Sequence, residues 1–136
     1  MDRIYSKQNP KNLLNVVCRK ADLVAQRRLD FASEEEVLQA AIINLQARDS
    51  IPPHRHLKNK RTTETTQEMM IVIEGKLEAK LFDTDNTFLQ TVILEGGDCL
   101  VCYRGGHGYK ALEPNTQIYE LKNGPYNGKN KDKEKL

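Results

Sequence analysis

Met69-Met70-Ile71-Val72-Ile73-Glu74-Gly75-Lys76-Leu77-Glu78-Ala79-Lys80-Leu81-Phe82 decides the fold class of this chain. Two short runs rich in apolar and β-branched residues, 69–74 and 76–82, meet at Glu74-Gly75, which reads as a tight hairpin turn. Further runs at 88–94, 99–103 and 117–121 are set apart by Asp83-Thr84-Asp85-Asn86, Gly96-Gly97 and Gly105-Gly106. No helical pattern intervenes, so these strands predict a mainly β, antiparallel sandwich or barrel and argue against a parallel sheet.

Outward from this block the signals change. Asn9 can cap a helix and Pro10 suits its first position. Leu13, Leu14, Val17, Ala21, Val24 and Ala25 then recur at spacings of three and four, predicting an N-terminal helix over 9–28. Residues 30–36 are polar and read as a connector. Over 37–48 local propensity favours a helix, with Ser33 and Glu36 as a capping box. A half-buried strand around Ile42-Ile43 fits as well. Residues 127–136 have almost no apolar content and predict a mobile charged tail. The expected organisation is an N-terminal helix and connector over 1–36, a single β domain over 37–126, and the tail.

Composition narrows the function classes. The 136 residues suit one domain, and 38% hydrophobic with 29% charged residues suits a globular protein with solvated tails. No apolar run reaches the roughly eighteen residues of a membrane helix, and the first residues lack the apolar core of a secretory signal. A cytoplasmic location is the expectation. The net charge of +2 is small, and Lys129, Lys131, Lys133 and Lys135 crowd the end, which argues against nucleic-acid binding. Three cysteines without an export signal argue against a disulfide scaffold.

The three histidines carry the chemistry. His54 and His56 follow Pro52-Pro53, and His107 follows Gly105-Gly106. Residues i and i+2 of a strand share a face, so His54 and His56 can present two imidazoles to one point. A carboxylate and a third histidine from neighbouring strands would complete a site for a divalent metal with open positions.

These residues also resemble a known family. His54-Arg55-His56, then Glu68 and, after six residues, Gly75 resemble the first cupin motif; Gly97, Tyr103 and Gly105-Gly106-His107 resemble the second. The likeness is closest to the WbuC-like cupin-fold metalloproteins. It runs through Val37-Leu38-Gln39, Ile51-Pro52-Pro53-His54-Arg55-His56, Leu81-Phe82-Asp83, Ala111-Leu112-Glu113-Pro114, Glu120-Leu121-Lys122 and Gly124-Pro125-Tyr126. The resemblance implies a jelly-roll (double-stranded β-helix) barrel, a strand within 37–48, and a metal held by His54, His56, Glu68 and His107. It also implies a link to O-antigen or capsule polysaccharide synthesis, with a sugar or sugar nucleotide as ligand. The metal would be one Fe, Mn, Ni or Zn ion per chain.

The sequence departs from the motifs in places. Eleven residues separate His56 from Glu68, so 57–67 must form an inserted loop. Glu64 within it is a rival ligand, and Glu68 is preferred for its spacing to Gly75. Tyr103 stands where the second motif has proline, and His107 comes one residue early. If Glu68 points inward, so do Met70 and Val72, while Met69, Ile71 and Ile73 face outward and need covering. A homodimer contact or the chain's own helix would supply that cover.

The remaining candidates are weaker in their signals. Cys99 and Cys102 fall on opposite faces of a strand and read as packing residues. Tyr103 and Tyr109 flank His107 and are the candidate catalytic side chains. Arg55 and Arg104 are candidate substrate-binding cations beside a basic Lys58-Asn59-Lys60-Arg61 loop. Three functions follow: a metal-dependent isomerase or dioxygenase, a non-catalytic metal-containing carbohydrate-binding or sensor module, and a metal-independent sugar-nucleotide isomerase or epimerase.

Overall fold

The computed structural model describes residues 1–22 and 26–136. Among the described residues there are ten strands: β1 (Asp2–Tyr5), β2 (Leu13–Cys18), β3 (Arg28–Asp30), β4 (Ala41–Ile43), β5 (Glu68–Glu74), β6 (Lys76–Phe82), β7 (Phe88–Glu95), β8 (Cys99–Cys102), β9 (His107–Ala111) and β10 (Gln117–Lys122). A single helical turn, α1 (Lys129–Asp132), follows. One antiparallel sheet has the order β1-β2-β8-β5-β10 and a second the order β7-β6-β9, with β3-β4 as a separate ribbon. The described residues form no closed barrel. None of their helices is long and apolar enough to cross a membrane.

The expected N-terminal helix is corrected. Leu13-Leu14-Asn15-Val16-Val17-Cys18 is a strand, and only a short 3-10 turn follows at Lys20–Asp22. Its apolar residues alternate between two cores rather than lining one stripe: Val17 faces the interior between the sheets, Val16 and Cys18 the outer layer. A strand wedged between two partners and buried on both faces loses its polar alternation, so its apolar run also satisfies helical spacing. Val24 and Ala25, the end of the expected stripe, lie outside the described residues. The strand expected within 37–48 is present as the short β4, paired with β3.

The interior core joins the two sheets through Val17, Val72, Leu100 and Cys102 on one side and Leu77, Ala79, Leu81 and Leu94 on the other. Burial follows the expected parity of β5: Glu68, Met70 and Val72 are buried, while Ile73 is exposed. Met69 and Ile71 face the outer layer, where residues of the chain's own 31–42 segment (Phe31, Ala32, Leu38, Ala40 and Ile42) cover them. An irregular ribbon thus does what a helix was expected to do. Gln67 stitches that cover in place: its carbonyl accepts from Leu38 N at 2.7 Å, its amide donates to Glu36 at 2.6 Å, and Arg104 pairs with Glu36 at 2.7 Å.

Between β5 and β6 the chain reverses at Gly75, whose φ of 80° lies in the left-handed region. A Cβ there would stand 2.9 Å from the Thr116 Cα, so backbone as well as conformation requires glycine.

Candidate functional site

Glu68 opens β5 and His107 opens β9, in opposite sheets. The sandwich brings His107 Nε2 to 3.2 Å from Glu68 Oε1, and the Glu68 side chain is only 4% exposed. The pair is close enough for an ion pair yet outside hydrogen-bond alignment. Glu68 Oε1, and on the other side of the ring His107 Nδ1, are buried polar atoms without a hydrogen-bond partner among the described residues. A cleft of about 340 Å³ opens onto both, walled by Thr66, Asp83, Asn86 and Gly106 and by Asp132 and Lys133 of the C-terminal segment.

In the metal-free chain each member of the pair favours the charged form of the other. Burial works against the charged imidazole of His107, but the neighbouring Cys102 thiol and Glu68 carboxylate outweigh it and push its pKa up to about 10. Burial would likewise raise the Glu68 carboxyl, yet His107, Lys133 and Lys122 hold it below the ordinary carboxylate value. Tyr109 lies beside His107, ring centroids 5.2 Å apart, and its hydroxyl stands 3.6 Å from Cys102 Sγ. Burial raises the Tyr109 phenol.

Sequence reasoning passed over the inner wall of this site. Asn15 of β2 pairs in register with Cys102 of β8, which pairs with Glu68 of β5. Opposed residues share a face, so the three form one row across the inner sheet. Cys102 read as packing from its strand position. Only two residues separate it from Cys99, so the two thiols lie on opposite faces, and Cys102 is the one in the interior core. Lys133 was hidden in a charge run.

The other sequence candidates lie elsewhere. His54 and His56 sit in the stretch 45–66, every residue of which is exposed and none of which joins a strand. Their rings meet edge to face at 5.3 Å, and His54 Nδ1 stands 2.9 Å from the Pro52 carbonyl. Neither lines the cleft of Glu68 and His107, and neither does Arg55. Glu64 lines a separate shallow depression with Thr63, Asn123 and Lys131. Tyr103 is 1% exposed in the outer core, on the far side of the sheet from His107, and Arg104 is engaged by Glu36. Among the described residues no three His, Cys, Asp or Glu side chains gather as a metal would require.

The fold and the cleft together define a small antiparallel β-sandwich protein with a buried carboxylate–imidazole pair at an open pocket. The chain belongs to the family described as a domain of unknown function, DUF6016, which it matches over residues 10–94. That span includes His54, His56 and Glu68 and stops short of His107. Comparison with curated proteins and with solved structures gives no significant match.

Proposed function

We propose that this is a cupin-type metal-binding protein in which His54, His56, Glu68 and His107 hold one divalent ion and act on a small oxygenated substrate. The Glu68–His107 pair carries the reading. A carboxylate and an imidazole, side by side at a cleft, each keep a buried polar atom with no hydrogen-bond partner among the described residues, and a divalent cation that displaces the imidazole proton would find both ligand types there. Two features support adding the His54–His56 pair. The exposed stretch that bears it runs directly into Glu68, and β9, which bears His107, has a ladder partner on one side only among the described residues.

When bound, the ion supplies Lewis-acid polarisation of a substrate oxygen, or oxygen chemistry if it is iron. The chain's own residues bind and orient. Asn86 offers hydrogen bonds to hydroxyls at the cleft wall, and Tyr109 lies beside His107 with the ring centroids 5.2 Å apart. A sugar or sugar nucleotide of cell-surface polysaccharide synthesis is the substrate class suggested by the motif resemblance, and a homodimer is the expected assembly.

A metal-independent isomerase or epimerase is the second reading, favoured by one observation: Glu68 and His107 meet without the other two histidines. There Glu68 would hold His107 protonated at Nε2 for general-acid work, with Tyr109 beside it. Metal analysis of protein purified without a metal-affinity tag separates the two. About one ion per chain, lost in Glu68→Ala and His107→Ala, is the expected result. A parent that stays empty after reloading with Fe(II), Mn(II), Ni(II) and Zn(II) contradicts the metal reading and leaves the acid–base pair.

A further inference from the structure

We propose that residues 127–136 form a strap that docks across the mouth of the Glu68–His107 cleft and competes with a bound cation for Glu68; the competition rests on the metal reading above, the docking does not. The composition of this segment predicts a solvated tail, yet the chain seats it on the site. Asp132 is its anchor. Its Oδ1 accepts a hydrogen bond from Thr66 Oγ1 at 2.7 Å, its Oδ2 stands 3.6 Å from Lys122 Nζ, and its side chain is only 12% exposed. Thr66 immediately precedes Gln67 and Glu68, so the anchor point is the entrance to β5 itself.

One residue further, Lys133 places its ammonium 3.9 Å from Glu68 Oε2 and 3.9 Å from Glu120 Oε1. Leu136 lies over Gly106 in the turn before His107, where the missing side chain of glycine leaves room for it; a Cβ at 106 would collide with the leucine. The three contacts fall on the entrance of β5, on the carboxylate itself and on the turn into β9, so they span the mouth from one sheet to the other. A cation bound at Glu68 and the Lys133 ammonium repel each other across one carboxylate, so occupancy by one disfavours the other. The strap therefore acts as an internal counter-ion for Glu68.

The test uses the full-length chain, with Mn(II) as the probe and free Mn(II) counted by electron paramagnetic resonance. Lys133→Met keeps the Asp132 anchor and removes the charge; Asp132→Ala releases the strap. Both are expected to bind Mn(II) about five- to tenfold more tightly than the parent. Docking is read separately, without metal, from tryptic cleavage at Lys129, Lys131 and Lys133, expected to be slow in the parent and fast in Asp132→Ala. Unchanged or weaker Mn(II) binding by Lys133→Met overturns the competition, and equal cleavage rates overturn the docking. If neither the parent nor a variant binds Mn(II), the competition as stated for this ion is overturned, the reloading with Fe(II), Ni(II) and Zn(II) decides the metal reading, and the cleavage rates still decide whether the strap docks.

Discussion

His107 Nε2 lies 3.2 Å from Glu68 Oε1, although the two residues open strands of opposite sheets. Only the packing of one sheet on the other makes them neighbours. The interior core that sets this spacing therefore sets the geometry of the site, and several consequences can be measured.

Asp98 should govern acid stability at the opposite end of the sandwich. Its carboxylate accepts from Lys20 N at 2.8 Å and Glu95 N at 3.0 Å and pairs with Arg19 at 3.0 Å. Burial would raise its pKa, but these donors and the Arg19 charge outweigh it and hold it below 3.8. A depressed carboxylate contributes stability that is present above the unfolded value and is lost as pH falls from there through the folded value. Asp98→Asn is expected to cost about 1–3 kcal/mol at neutral pH. It should also flatten the fall in melting temperature below about pH 4. A parent and variant with parallel pH profiles would contradict this.

Two glycines should behave differently. Gly75→Ala forces an alanine to φ near 80° against the Thr116 backbone and should destabilise by about 1–3 kcal/mol. Gly108→Ala, in β9 with open space around the added methyl, should stay within about 0.5 kcal/mol of the parent. Urea melts of the two variants check the contrast.

The cover of the outer face should depend on Gln67. Gln67→Ala removes the bonds to Leu38 N and Glu36 at a position 2% exposed and should cost about 1–3 kcal/mol. Hydrogen exchange should rise at Phe31, whose N–H bonds to the Ala40 carbonyl, and at Leu38 before it rises in β8. Uniform loss of protection would show that the cover and the sheet open as one unit.

Covering Met69 and Ile71 within the chain leaves a smaller apolar surface for a partner. Ile73, Tyr119 and Leu121 remain exposed, and the last two lie on the edge strand β10. Exposed apolar side chains on an unpaired edge favour strand addition. Sedimentation should show a dimer that Tyr119→Glu with Leu121→Glu converts to monomer; a monomeric parent contradicts the expected assembly.

How much of this was legible in sequence follows from burial. The hairpin 68–82 and the strands at 88–95 and 99–102 announce themselves because each alternates or is punctuated by a turn residue. Leu13–Cys18 does not, since a central strand buried on both faces carries no polar period. β9 was invisible for the opposite reason: His107-Gly108-Tyr109-Lys110-Ala111 has little strand propensity, and only the sharing of one face by His107 and Tyr109 hints at it. Glu68 and His107 stand out in sequence as candidates, whereas the approach of Lys133 to Glu68 and the row Asn15–Cys102–Glu68 arise only through packing and register, which local sequence does not encode.

The most direct test of the proposed function is metal uptake by the double variant His54→Ala/His56→Ala, beside the parent, after loading with Fe(II), Mn(II), Ni(II) or Zn(II) in turn. The four-residue site predicts that the parent takes up about one ion per chain and the double variant almost none. Equal uptake by both would show that the exposed histidine pair plays no part and that any ion rests on Glu68 and His107 alone.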